Sequence, residues 1–90
     1  MKEVNLEKLK KLVSNSLKVV GTKQVLKAII FSLDEVNFVV LAKDAKQAVI
    51  EPIIDLCSQK KVQIYWVPNK KALGNFVGID VNASALAIMN

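Results

Sequence analysis

Between residues 6 and 17, Leu6, Leu9, Val13 and Leu17 recur at helical spacing, while Glu7, Lys8, Lys10 and Lys11 occupy the other positions. That spacing predicts an amphipathic helix, with Asn5 placed to cap it. A short β-branched piece, Lys18 to Val20, follows and is broken at Gly21. Beyond it Val25, Leu26, Ile29, Ile30 and Leu33 predict a second helix that buries this stripe, with Thr22 as its N-cap. No Glu or Gln stands at the third helical position, so a capping box is absent.

The pattern then changes period. Asn37 to Ala42 is a continuous apolar run ending at the charged pair Lys43-Asp44, the signature of a strand covered on both faces. Ala45 to Lys61 is helical in pattern, and Pro52 is expected to begin the helix after a short turn, because proline suits the first helical position. Val62 to Val67 reads as another strand. Pro68-Asn69 then provides a break and a cap for a short helix through Leu73, which Gly74 is placed to end. Gly78 to Asn82 reads as a loop and Ser84 to Ile88 as a last strand. Helices alternating with short buried strands predict a three-layer α/β/α sandwich around a small mixed four-stranded sheet.

Length limits this plan to one domain over residues 1–90, since a core of this size cannot be divided further. With 52% hydrophobic and 23% charged residues the chain lies far from the composition of disordered segments. The net charge is +5, and all 13 basic residues are lysines. A basic excess on so small a protein points to a polyanionic partner, the alternative being a lysine-rich surface that serves solubility alone. Lysine is a point charge and lacks the planar fork with which arginine grips guanine edges and phosphates. The lone Cys57, inside an apolar pattern, permits no disulfide framework and reads as a small core residue in a reducing compartment. The longest apolar run is far too short to span a bilayer, and the N-terminal residues lack the apolar segment of a signal peptide, so a cytoplasmic protein with no membrane partner is expected.

Several chemistries are excluded. Histidine is absent, which removes the commonest general base and metal ligand, and one cysteine cannot build a zinc site. The glycines of Gly74-Asn75-Phe76-Val77-Gly78 are not followed by Lys-Ser or Lys-Thr, so this is no phosphate loop of the Walker kind. Asp44, Asp55 and Asp80 have no visible partners and read as solvated. An enzyme is not expected, and neither a metal nor a cofactor is required.

One constellation stands out. A helix N-terminus carries partial positive charge, so Lys23 in the first turn is misplaced by about 0.3–1 kcal/mol relative to an acidic residue. Lys27 lies on the same helix face and Gln24 beside them, while Gly21 lets a ligand approach the backbone closely. Cations and free amides at one helix start make an anion site.

The order "GTKQVLKAI", "NFVVLAKDA" and "VPNKKALGNFVGIDVNASALAI" resembles the ribosomal-protein family L-seven-Ae/L-thirty-e, above all its small bacterial members that bind kink-turn RNA. The resemblance runs from Lys18 to Ile88. It implies an α/β/α sandwich that holds the sheared G·A pairs and bulged loop of a sharply bent RNA. By the same resemblance Gly21, Thr22, Lys23, Gln24 and Lys27 would meet the backbone and guanine edges. Ile79, Asp80 and Val81 would line the bulged nucleotides, and Lys43 and Lys70 would stand near the same edge. Archaeal and eukaryotic members usually carry Asn-Glu where this chain, like the bacterial ones, has Lys23-Gln24. From the residues alone, Ile79 and Val81 read as core packing before base contacts, and Tyr65, Trp66 and Phe76 as core rather than stacking platforms. The function expected is non-catalytic kink-turn binding by a monomer. Its alternatives are a structural ribosomal protein bound permanently to rRNA, and a protein-interaction module using the first helix.

Overall fold

The computed structural model describes residues 17–76, 78 and 82–90. Their order is β1 (Lys18–Val20), α1 (Thr22–Phe31), a 3-10 turn (Leu33–Glu35), β2 (Val36–Ala42), α2 (Gln47–Lys60), β3 (Ile64–Val67), α3 (Lys70–Phe76) and β4 (Ala85–Met89). The first predicted helix, apart from Leu17, lies outside the described residues.

The four strands form one mixed sheet in the order β1-β4-β2-β3. β4 runs antiparallel to both of its neighbours, with Val20 opposite Leu86 and Leu41 opposite Ala85. β2 and β3 are parallel, as their connection through α2 demands, since a parallel pair needs a crossover rather than a hairpin. The last five residues of β2 and all of β4 are buried. Side chains alternate between the two faces of a strand, so such runs require cover on both faces. α1 and α2 pack on each other, and α3 packs on β2 and β3. The α/β/α arrangement expected from the apolar runs is therefore present. At its centre Val39, Val40, Leu41, Leu86 and Ile88 meet Val25 and Ile29 of α1, Ile50 and Ile53 of α2, and Leu73 of α3.

Several local expectations are corrected. Gly21 caps α1 and Thr22 is its first helical residue, because the backbone turns from strand to helix in a single residue. Ala28 joins Val25 and Ile29 on the buried face, whereas Ile30 is 57% exposed and Leu33, half-buried, belongs to the 3-10 turn. Leu17 is exposed, and its carbonyl accepts a hydrogen bond from the Met89 N–H at 2.8 Å, so it extends the β1 ladder instead of closing a helix.

Pro52 lies inside a continuous α2 rather than at its start. It leaves the Ala48 carbonyl without its helical donor, but Ala48 and Pro52 are both exposed, so water can serve that group. Ile50 and Ile53, buried on either side of the proline, hold the two halves in one line. Gly74 does not end α3, which continues to Phe76, because Leu73 and Gly74 are buried under the packing of this short helix. Asn69 caps α3 as expected, its Oδ1 accepting from the Ala72 N–H at 2.7 Å. No helix among the described residues is long and apolar enough to cross a membrane.

Cys57 sits in this core at 1% exposure, and burial pushes its thiol from an ordinary 9.0 up to about 11. The folded protein thus holds that proton more tightly than the unfolded chain does, so stability falls as pH rises through the window from 9 to 11. Urea unfolding of wild type and Cys57→Ala at pH 8 and pH 10.5 checks this. The advantage of the wild type should shrink by about 2 kcal/mol at the higher pH.

Candidate nucleic-acid interface

The turn from β1 into α1 is made by Gly21 alone. Its φ of 105° and ψ of 147° fall in a region that side chains essentially forbid, at a strain of about 1–3 kcal/mol for any other residue. A Cβ built there meets nothing within 4 Å, so the backbone at this point faces open space. The Gly21 N–H donates to the Ala85 carbonyl at 3.0 Å, tying the turn to β4, and its carbonyl accepts the first helical bond from Val25 at 2.9 Å.

The amides of Thr22, Lys23 and Gln24 that follow have no acceptor among the described residues, for no side chain caps α1 and no acidic residue stands in its first turn. Thr22 is half-buried, and Lys23, Gln24 and Lys27 are exposed. Among the described residues the positive end of this helix is therefore left open, and cations reinforce it.

The other predicted residues come to the same end of the sheet. β1, β2 and β3 all finish there, and β4 starts there. The Ala42 N–H donates to the Ser84 carbonyl at 3.1 Å, and the Lys43 N–H to the Val67 carbonyl at 2.9 Å. The Ala83 N–H donates to the Lys70 carbonyl at 3.1 Å, which binds the segment before β4 to the start of α3. Lys43 is exposed and Lys70 half-buried at this edge. Ile79, Asp80 and Val81 lie outside the described residues, between Gly78 and Asn82.

Asp44 departs from its solvated reading. Its Oδ1 accepts from the Lys70 backbone N–H at 2.8 Å across 26 positions of sequence, fixing α3 against the end of β2. Asn69 and Asp44 together occupy amides of the first turn of α3, so that helix start differs from the open one of α1. Trp66 and Tyr65 behave as core residues. Trp66 is buried, and Tyr65 meets Phe38 edge to face at 5.1 Å and 89°. Phe76 closes α3, and its side chain lies outside what the structure describes. Among the described residues no group of three acidic, cysteine or histidine side chains could hold a metal. No buried side-chain polar atom there lacks a partner.

These features define an α/β protein with one basic end built for a polyanion. Residues 3–90 match the ribosomal protein L7Ae/L30e/S12e/Gadd45 family, and the chain belongs to it. It is 43% identical over 70 residues to an RNA-binding protein of Halalkalibacterium halodurans, a match covering 78% of this chain and 83% of that one. An RNA-binding protein of Caldanaerobacter subterraneus is 40% identical over 70 residues, with 78% and 83% covered. Among solved structures, a Giardia lamblia 15.5kD RNA binding protein shares the fold with a TM-score of 0.79 at 22% identity, covering 94% of this chain and 70% of that one.

Proposed function

We propose that this protein binds structured RNA without catalysing a reaction, and that its target is a kink-turn whose sheared G·A pairs and bulged loop it recognises in the bent state. The observation that carries this reading is the open start of α1. Three amide donors without acceptors among the described residues, a glycine beside which a Cβ would meet nothing within 4 Å, and Lys23, Gln24 and Lys27 come together there. The relatives named as RNA-binding proteins support the choice of polyanion.

The groove chemistry favours a distorted RNA over a regular one. The deep major groove of an A-form helix admits no side chain, whereas splayed or sheared bases expose edges that lysine and glutamine can meet. A protein that binds the kinked conformer preferentially shifts the RNA toward it, by as much as its differential affinity allows.

Titration against a kink-turn RNA and against the same RNA with its G·A pairs replaced tests the proposal. The intact kink-turn should bind at least roughly tenfold more tightly, a difference of about 1.4 kcal/mol. Lys23→Ala combined with Gln24→Ala should remove most of that preference, while Lys60→Ala, at the far end of α2, should not. Equal affinity for the two RNAs would overturn the reading.

A further inference from the structure

The open start of α1 occupies only one side of the basic end. Two further lysines, Lys46 at the N-cap of α2 and Lys71 in the first turn of α3, are exposed at the ends of the β2 and β3 connections. Neither is near α1 in sequence, and the topology brings them to its side. The Asp44 contact with the Lys70 N–H joins the two connections, and two residues of chain place Lys46 within about 7 Å of Asp44 along the backbone. Lys71 follows Lys70 directly.

From Gly21 at the end of β1 to the end of β3 there are three inter-strand spacings, about 14 Å in all. The topology thus sets lysines at both flanks of this end of the sheet, Lys23 and Lys27 at the start of α1 and Lys46, Lys70 and Lys71 at the starts of α2 and α3. None of the three helices carries an acidic residue in its first turn. The one carboxylate within these connections, Asp44, is engaged by a backbone amide. Among the described residues the exposed lysines of these connections outnumber that single carboxylate.

We propose that Lys46 and Lys71 form a second contact zone that grips the phosphate backbone of the RNA flanking the bend, independently of its sequence and of the bend itself. The inference rests on the RNA-binding reading above and divides the interface in two. Gly21 to Gln24 and Lys27 discriminate, while the lysine flank supplies affinity through counterion release. The partner is fixed by charge complementarity, because point charges spread over this end suit a line of phosphates and offer nothing to an apolar surface.

The test is a salt titration of the double variant Lys46→Gln/Lys71→Gln against a kink-turn RNA and a fully paired duplex. A control variant, Lys60→Gln/Lys61→Asn, makes the same charge change at the opposite end of α2, where Asn suits the left-handed backbone of residue 61. Circular dichroism verifies that both variants are folded. For the first pair the slope of log K against log salt should become shallower by about 1 to 2, with both RNAs weakened by the same factor, roughly tenfold. The control should retain the wild-type slope. A slope equal to that of the control would overturn the proposal, as would a loss confined to the kink-turn RNA. Wild-type protein that failed to prefer the kink-turn would instead overturn the earlier reading, and the slopes would still decide this one.

Discussion

Replacing Lys23 by glutamate is expected to make the free protein more stable and the RNA complex much weaker. Lys23 occupies the first turn of α1, where no acidic residue stands and no side chain among the described residues caps the amides. A carboxylate there would interact favourably with the helix N-terminus and raise stability by about 0.3–1 kcal/mol. The same carboxylate would confront phosphate in the complex. The loss of a charged hydrogen bond, about 1.5–3 kcal/mol, predicts affinity reduced by roughly tenfold to a hundredfold, before any repulsion is counted. Thermal unfolding and RNA titration of the same sample measure both effects. A variant that lost stability together with affinity would show Lys23 to be a structural residue, and the anion site at α1 would lose its main support. Opposite signs are the mark of a residue whose placement serves a ligand.

The largest effect on stability is expected from Leu41→Ala. Leu41 is fully buried in β2, with Ala85 of β4 on one side and Trp66 of β3 on the other in the strand register. Truncation should remove about 2–5 kcal/mol, since interior packing closes only partly around the lost methyl groups. Out of a total of about 5–15 kcal/mol, that is enough to bring the fold near its limit. The urea midpoint should fall with little change in slope, and Tm by roughly ten degrees or more. Ile30→Ala provides the contrast. Its side chain is 57% exposed, and its loss should shift stability by no more than about 0.5 kcal/mol. If the two changes were equally damaging, the assignment of Ile30 to the surface would be wrong.

The alternation of apolar runs was sufficient to read the strands, because a segment covered on both faces has few ways to be written. Asn37 to Ala42 and Val62 to Val67 hold β2 and β3 within a residue or two. Period was less informative in α1, where Val25, Leu26, Ala28, Ile29 and Ile30 leave two adjacent apolar stripes and only the position of α2 and the sheet decides between them. Pro52 follows the same logic. Its local preference is for a helix start, but burial of Ile50 and Ile53 on either side overrides it.

In the candidate site, the cluster from Gly21 to Lys27 is local and legible, since glycine, cations and an uncapped helix start adjoin in sequence. The pairing of Asp44 with the Lys70 amide spans 26 positions and involves a backbone donor, so no side-chain pattern announces it. Lys46 and Lys71 carry no local signal for the same reason, as their placement at one end of the sheet depends on β2 and β3 being parallel and ending together.

The place of β4 in the sheet has a consequence for how the protein comes into being. Of the four strands it is made last, yet it lies between β1 and β2, and it carries both antiparallel ladders. Until it is in place, β1 has no neighbour in the sheet, Gly21 lacks its tie to Ala85, and Ala42 lacks its tie to Ser84. Pairings so distant in sequence form late, because loop closure must precede any gain from them. Every lysine precedes β4 in the chain, but the surface that arranges them is assembled only when the final strand inserts. If the protein selects a bent RNA as proposed, a growing or truncated chain has the charge to attract RNA without the geometry to select it, and selectivity arrives with the closing of the sheet.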